Sequence, residues 1–219
     1  MLLNKNGMEN PVIIFGANYL GRAAREIFER NGNVVYCFLD DNKSLHATEI
    51  DNVTVLGSTD DDGYLKLIGK KCEAFVAFDD TKLRKNLVRM LNEVRKVQPV
   101  NAIHPTASFA LSANIGHGNF IDAGAQTGAG ATIGNHCLVH ANVVVGAETQ
   151  IGDFVQIGAS STINSGVVIE AEAFIGSGVI IVSGITIGKG ARVGAGSVVI
   201  GPVKAGETVF GNPATTVKA

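Results

Sequence analysis

A six-residue period dominates the second half of this chain. Stepping by six from Ile103 reaches an aliphatic residue at almost every position as far as Val199. Of the seventeen positions, all are Ile or Val except Phe109 and Thr127. A short strand followed by a turn fits this period, whereas an α-helix with its 3.6 residues per turn does not. The pattern therefore predicts a β-solenoid in which three such units form one triangular coil of about 18 residues.

Glycine is often the residue that follows the aliphatic position. The nine examples are Gly116, Gly128, Gly134, Gly146, Gly152, Gly158, Gly176, Gly188 and Gly194. We expect these glycines to let the backbone bend at the corners of each coil. The register continues without a break, so we expect no long loop between the coils.

The first hundred residues follow a different pattern, and they hold 7 of the 27 glycines. Short apolar runs at 11–15, 34–39, 53–56 and 74–78 predict buried strands. A helical period at 22–30, and another after Asp79 and Asp80, predict helices between them. This alternation is typical of a small parallel α/β sheet. We therefore predict an α/β domain over residues 1–100 and an all-β solenoid over 101–219.

Two features of the first domain are candidate ligand contacts. The turn from Gly16 to Gly21 would present backbone N–H groups where a phosphate can bind. Asp40 and Asp41 close the second strand, where carboxylates can accept hydrogen bonds from a ribose or a base. The alternatives are a tight turn for the glycines and a solvated turn for the acids. Asp79, Asp80 and Arg84 fit a capped helix start better than a ligand site.

Composition excludes several classes of partner. The formal net charge is -2 and charged residues make up 17%, which argues against nucleic acid and anionic membranes. No apolar run approaches the roughly 20 residues of a membrane span. The three cysteines are widely spaced and odd in number, as expected of reduced thiols. With no signal peptide recognisable in residues 1–10, we expect a cytoplasmic protein without a metal site.

Several motifs together resemble one family. They are Ile14-Phe15-Gly16-Ala17, Phe38-Leu39-Asp40-Asp41-Asn42, Val55-Leu56-Gly57, His104-Pro105, the hexapeptide run, and Gly211-Asn212-Pro213-Ala214. With these motifs the whole chain resembles the hexapeptide-repeat sugar O- and N-acetyltransferases of the NeuD/PglD type. The resemblance implies a Rossmann-like sugar-nucleotide domain followed by a left-handed parallel β-helix that binds acetyl-CoA. The handedness follows from the resemblance and not from the period.

The resemblance also implies the ligands, the assembly and the residues that serve them. It implies a homotrimer with active sites between neighbouring β-helices. The expected substrate contacts are Gly16, Asn18, Gly21, Asp40 and Asp41. The pantetheine arm of acetyl-CoA is expected along Gln156, Ser165, Ser177 and Ala195, with Asn212 and Pro213 near its adenine end.

The chain departs from the family pattern where the chemistry takes place. The family has a general-base histidine ahead of an I-G-D/E-F segment, and Ala147 stands at that position here. The acidic neighbour, Glu148, is kept, while Gln156 replaces a second histidine and Asn18-Tyr19-Leu20 replaces a Ser-Gly-His turn. Loss of a general base typically costs about 10²–10⁴ in rate. Glu148, His140 and His136 are the candidates to replace it.

Three functions follow from these observations. The first is an acetyl-CoA-dependent acyltransferase that acts on a nucleotide-linked amino sugar in glycan synthesis. The second is a catalytically inactive protein of the same fold that binds a sugar nucleotide or a partner, and Ala147 is the feature that favours it. The third is an NAD-type oxidoreductase, which the Gly16–Gly21 spacing disfavours because it is GxxxxG and not GxGxxG.

Overall fold

The computed structural model describes residues 10–217 of the 219-residue chain. Most of the segment on which the signal-peptide argument depends lies outside these residues. The chain divides into two compact units, with Pro105 ending the first and Thr106 beginning the second. The boundary predicted at 100/101 falls slightly ahead of this division.

The first unit is a small α/β sheet with helices between its strands. Its elements are Val12–Phe15 (β1), Tyr19–Arg30 (α1), Val35–Leu39 (β2), Glu49–Ile50 (β3), Val53–Gly57 (β4), Asp62–Leu65 (α2), Glu73–Val76 (β5) and Thr81–Met90 (α3). A 3-10 turn at Lys43–Leu45 and a π-helical turn at Leu91–Arg95 complete it. The strand order is β3-β4-β2-β1-β5, and all neighbours are parallel except β3 and β4.

The first helix begins three residues earlier than the sequence pattern predicts. Asn18 caps it, because its side-chain oxygen accepts hydrogen bonds from the backbone N–H groups of Leu20 and Gly21. This cap satisfies two of the donors that every helix start leaves open. The buried face of α1 carries Ala24, with Ile27 and Phe28, against the sheet.

The second half is a stack of two-residue strands at intervals of six residues. They are Ala102–Ile103 (β6), Ser108–Phe109 (β7), Asn114–Ile115 (β8), Phe120–Ile121 (β9), Gln126–Thr127 (β10), Thr132–Ile133 (β11), Leu138–Val139 (β12), Val144–Val145 (β13), Gln150–Ile151 (β14), Gln156–Ile157 (β15), Thr162–Ile163 (β16), Val168–Ile169 (β17), Phe174–Ile175 (β18), Ile180–Ile181 (β19), Thr186–Ile187 (β20), Arg192–Val193 (β21) and Val198–Val199 (β22). A hairpin of Thr208–Gly211 (β23) and Ala214–Thr216 (β24) follows. Each strand from β6 to β22 ends at a position of the predicted six-residue series, which confirms the solenoid.

Strands 18 residues apart pair in parallel, as Gln126 with Val144 and Val144 with Thr162. This pairing confirms the triangular coil and forms three sheets. Among the strands from β7 onward, sheet I contains β7, β10, β13, β16, β19 and β22; sheet II contains β8, β11, β14, β17 and β20; sheet III contains β9, β12, β15, β18, β21, β23 and β24. The second residue of each strand points inward, and from Ile121 to Val199 these side chains are buried and form the core.

The glycines after the aliphatic positions have a different purpose from the predicted one. Gly158 is outside the left-handed region, but a Cβ on it would lie 2.4 Å from the backbone nitrogen of Ser177 in the next coil. Gly146 and Gly176 are equally close to the next coil, at 2.5 Å each. These glycines therefore allow the coils to stack closely. The bend itself lies two residues further on, where φ is positive at every sixth residue from Gly118 to Gly196.

Candidate active site and its relatives

The four-residue corners of the β-helix carry the candidate catalytic side chains. We call them corners I/II, II/III and III/I, after the sheets that they join. Corner I/II contains Ala147 and Glu148, which follow β13 and precede β14. Corner II/III contains His136, between β11 and β12, and corner III/I contains His140, between β12 and β13. The three candidate bases therefore stand on three different corners of one chain.

Glu148 projects from a corner that is otherwise built from small residues. Its side chain is exposed and its backbone is left-handed, with φ of 57°. Its backbone nitrogen donates to the carbonyl of Ala129 in the coil before, at 2.8 Å. Ala147 and Ser165 occupy successive layers of the same corner, since Ser165 stacks beside Gly146. Glu148 thus carries an exposed carboxylate on corner I/II.

The two histidines stand in contrasting surroundings. His136 is 5% exposed, has φ of 57°, and its ring packs on Phe154 with centroids 4.9 Å apart. His140 is half-buried, and its ring lies 5.9 Å from that of Phe120. Because His140 is more accessible than His136, it is the better placed of the two to meet a substrate.

The predicted acetyl-CoA contacts are spread over several parts of the β-helix. Gln156 begins a strand of sheet III and is half-buried, whereas Ser165 lies on corner I/II. Ser177 and Ala195 occupy successive layers of corner III/I, next to Gly158 and Gly176. Asn212 and Pro213 form the turn of the β23–β24 hairpin and are exposed. Within one chain, therefore, the structure stacks Ser177 with Ala195 but does not bring all six residues together.

Asp153 is part of a polar ladder that sequence reasoning did not identify. Its Oδ1 accepts hydrogen bonds from the backbone nitrogen of Asn135 at 2.7 Å and from Asn135 Nδ2 at 3.0 Å. Asn135 Oδ1 in turn accepts from the backbone nitrogen of His117 at 2.9 Å. These bonds connect three successive coils along corner II/III, so Asp153 has a structural role there.

The turn after β1 in the first unit is fixed by its own side chains. Asp40 Oδ2 accepts from the backbone nitrogen of Ala17 at 2.8 Å, and its Oδ1 accepts from that of Asn42 at 2.9 Å. Asn18 caps α1 and also donates to the carbonyl of Ala77 at 2.8 Å. Several N–H groups that a phosphate would need are therefore already bonded within the protein.

Both glycines of this turn are required by close contacts. A Cβ on Gly21 would lie 1.9 Å from the carbonyl oxygen of Gly16, and one on Gly16 would lie 2.6 Å from that of Ala77. Gly16 also has φ of 107°, which side chains rarely allow. Asp41, by contrast, is exposed and accepts from the backbone nitrogen and hydroxyl of Thr59, both at 2.8 Å.

One of the two acidic residues after β5, Asp80, caps a helix, as the sequence pattern indicates. Asp80 Oδ1 accepts from the backbone nitrogen of Leu83 at 2.7 Å. Arg84 is buried, and its Nη1 donates to the carbonyls of Phe78 and Asp79 at 2.6 and 3.1 Å. Asp79 instead accepts a hydrogen bond from the hydroxyl of Tyr19 at 2.9 Å. Partial burial, with the carboxylate of Asp79 second, raises the pKa of Tyr19.

Between residues 10 and 217, no cluster of His, Cys, Asp and Glu side chains could hold a metal ion. No helix in the same range is long and apolar enough to span a membrane. All three cysteines, Cys37, Cys72 and Cys137, are free and buried.

Comparison with family models assigns a domain to each half of the chain. The PglD N-terminal domain matches residues 11–91. The bacterial transferase hexapeptide model (six repeats) matches 112–147 and 148–181, and the hexapeptide repeat of succinyl-transferase matches 166–200. A search of curated protein sequences gave no significant match.

Three solved structures match nearly the whole chain. A histidine variant of perosamine N-acetyltransferase from Caulobacter crescentus, in complex with CoA and GDP-perosamine, is 29% identical, with a TM-score of 0.87 and coverage of 95% of this chain and 97% of that one. The acetyltransferase domain of PglB from Neisseria gonorrhoeae, in complex with acetyl coenzyme A, is 25% identical, with a TM-score of 0.86 and coverage of 95% and 100%. WeeI from Acinetobacter baumannii is 27% identical, with a TM-score of 0.83 and coverage of 94% and 99%.

Both domains and their order agree with the resemblance drawn from the motifs, including the left-handed β-helix. The chain therefore carries a PglD N-terminal domain followed by bacterial transferase hexapeptide repeats, as expected from the family that its motifs resemble.

Proposed function

We propose that this protein transfers an acetyl group from acetyl-CoA to a nucleotide-linked amino sugar. The observation that carries the proposal is the likeness over 95% of the chain to an acetyltransferase bound to CoA and GDP-perosamine. Both parts of such a substrate pair have a domain here, because the PglD N-terminal domain and the hexapeptide repeats are both present.

In the proposed reaction, the amino nitrogen of the sugar attacks the carbonyl carbon of the thioester. A C–N bond forms as the C–S bond breaks. The amine loses one proton to a base and the departing CoA thiolate takes up one proton, so charge and atoms balance. Holding the amine and the thioester in line supplies much of the acceleration even where the base is weak.

We assign the proton transfer to Glu148 acting together with His140 of a neighbouring copy. The methyl group of Ala147, which stands where the family has its histidine, cannot accept a proton. Glu148 is exposed on the same corner, directly beside Ala147. His140 stands on another corner of its own chain, so it can join Glu148 only if two β-helices lie side by side. A homotrimer with sites between its β-helices would supply this arrangement.

Calorimetric titration of the purified protein with acetyl-CoA, with free CoA as a control, is the first test. Saturable binding at one site per chain supports the proposal, and the absence of binding at millimolar ligand contradicts it. Release of CoA is then followed with a panel of nucleotide-linked amino sugars. Transfer to at least one of them is expected.

Variants at the candidate base make the mechanism testable. We expect Glu148→Gln to lower kcat by about 10²–10⁴ if Glu148 is the base. Glu172→Gln is the matched control, because Glu172 also occupies a left-handed corner position, with φ of 65°, but on corner II/III. Ala147→His would restore the family's base, and we expect it to raise kcat above that of the native chain.

The second candidate function is a catalytically inactive protein that binds a sugar nucleotide, and Ala147 is the observation that favours it. Under this hypothesis acetyl-CoA and nucleotide binding persist, whereas the native chain gives no turnover with any acceptor. Turnover that appears only in Ala147→His would support this second function over the first.

A further inference from the structure

At the carboxyl ends of β1 and β5, which we call the mouth of the α/β sheet, one hydrogen bond joins two side chains. In the strand order β3-β4-β2-β1-β5, β1 lies between β2 and β5. The chain therefore leaves β1 for β2 on one side of that strand and later returns to β5 on its other side. Ligands of open α/β sheets bind at such a switch point, beyond the carboxyl ends of the two strands. Tyr19 follows β1 and Asp79 follows β5, and the hydroxyl of Tyr19 donates to Asp79 Oδ2 at 2.9 Å.

The bond to Asp79 restrains an aromatic ring that is largely open to solvent. Tyr19 is 62% exposed, so much of its ring is open to solvent. It also borders a concavity of about 320 Å³ that Arg22 and Arg25 line with it. This volume is at the lower end of the range for small-molecule sites. A ring that is fixed at its hydroxyl end and open on its face is suited to stacking.

The backbone of the neighbouring turn offers little to a phosphate. Asp40 occupies the N–H group of Ala17, and Asn18 occupies those of Leu20 and Gly21. A nucleotide that binds here must therefore be recognised largely through side chains. Arg22 lies at the edge of the concavity, where it pairs with Asp51 at 3.0 Å.

We propose that Tyr19, held by Asp79, is the stacking platform for the base of the nucleotide part of the substrate. Stacking on an aromatic face accepts every base, because every base has a π-face. Tyr19 therefore contributes affinity to nucleoside diphosphates in general, and polar side chains around the mouth select among them. This inference rests on the proposed function, since it assigns a residue to the nucleotide-binding part of that site.

Binding of GDP, UDP and dTDP to the full chain, measured by calorimetry, tests the platform. We expect Tyr19→Ala to weaken binding of all three by roughly 10- to 100-fold. Tyr19→Phe keeps the ring but loses the bond to Asp79, so a smaller loss is expected. Tyr36→Ala is the matched control, because Tyr36 is also an exposed tyrosine of the first unit, at 46%, and it should bind like the native chain.

Tyrosine fluorescence gives a second measurement that a merely structural role would not change. The chain has 3 tyrosines and no tryptophan, so its ultraviolet emission comes from tyrosine. Stacking of a base on Tyr19 should quench part of this emission, and Tyr19→Ala should lose the quenching. Acetyl-CoA affinity should stay unchanged in every variant and shows that the fold is intact.

The outcomes separate this inference from the proposed function. If Tyr19→Ala binds the diphosphates within twofold of the native chain, the platform is wrong and the proposed function stands. If the native chain binds none of the three at millimolar concentration, both the nucleotide-sugar substrate and the platform are wrong. Selective loss of diphosphate binding in Tyr19→Ala supports both.

Discussion

At each corner of the β-helix, one residue allows close stacking of the coils and another makes the bend, whereas the sequence pattern assigns the bend to the first of them. The glycine after each aliphatic residue avoids a collision with the next coil, as at Gly158. The left-handed position lies two residues later and is not restricted to glycine, since His136, Asn142, Glu148, Phe154, Ser160 and Glu172 all occupy it. A left-handed conformation costs a residue with a side chain roughly 1–2 kcal/mol. Two of these strained positions, His136 and Glu148, carry candidate bases, which fits the tendency of backbone strain to gather at functional sites.

Three glycine-to-alanine variants separate these two effects. Gly158→Ala forces a Cβ to within 2.4 Å of the next coil, so we expect a loss of about 1–3 kcal/mol or more in unfolding free energy. Gly178→Ala has open space but φ of 67°, so a loss of about 1–2 kcal/mol is expected from backbone strain alone. Gly201→Ala has neither problem and should stay within about 0.5 kcal/mol of the native chain. Calorimetric unfolding measures all three, and an equal loss in Gly158→Ala and Gly201→Ala would contradict the stacking argument.

The buried cysteines give a residue-scale prediction about reactivity and pH. Burial raises the pKa of Cys37 to about 12 and that of Cys72 to about 11. Because the thiolate is the reactive form, native protein at pH 8 should react slowly with a disulfide reagent, and all three thiols should react after unfolding. Once unfolded, these thiols ionise near pH 9. Their contribution to stability is therefore complete below pH 9 and is lost as the pH rises towards 11 and 12. Rapid reaction of a native thiol at pH 8 would show that burial is incomplete.

At the scale of elements, the sequence predicts well what depends on a repeating pattern. Each predicted inward aliphatic ends a strand, because a strict period with a buried face leaves one register for the chain. The start of α1 is missed by three residues, although its signal is local, because Asn18 caps the helix through the backbone nitrogens of Leu20 and Gly21. The bond between Tyr19 and Asp79, by contrast, could not be predicted, because β5 must first lie beside β1. An aromatic residue within the Gly16–Gly21 turn was the one available signal.

Capping of α3 provides the prediction at this scale. Asp80→Ala removes the acceptor for the backbone nitrogen of Leu83, so we expect a loss of about 0.5–2 kcal/mol in the stability of the first unit. Asp79→Ala is the control, because its carboxylate bonds to an exposed hydroxyl and caps no helix. Circular dichroism at a helical wavelength reports on this unit, since every helix of the described residues lies within it. A larger loss in Asp79→Ala than in Asp80→Ala would contradict this assignment.

At the scale of the whole molecule, the geometry of the β-helix limits how a catalytic site can be built. A triangular coil points its three corners in three directions, so Glu148, His140 and His136 cannot converge within one chain. The proposed trimer resolves this by letting corners of different chains face one another. A chain mass of 22.8 kDa predicts a particle of three times that mass in light scattering. A monomeric mass under the conditions that support turnover would remove the basis for a shared site.

Mixing two inactive variants tests whether neighbouring chains share the site. We expect Glu148→Gln and His140→Ala each to lose most activity when prepared alone. In a mixed trimer, a site regains both residues when its glutamate comes from a His140→Ala chain and its histidine from a Glu148→Gln chain. In random assembly of equal amounts, the glutamate of a site comes from the right chain with even odds, and so does its histidine. Roughly a quarter of the sites would therefore be restored. Co-expression of the two variants and measurement of CoA release would detect this recovery.

Because a double variant of one chain offers no intact pair, it should stay inactive when mixed with either single variant in the absence of native chain. Recovery in the mixture of single variants alone would establish a site shared between Glu148 and His140, whereas a mixture no more active than its components would mean that the two residues do not act together across an interface.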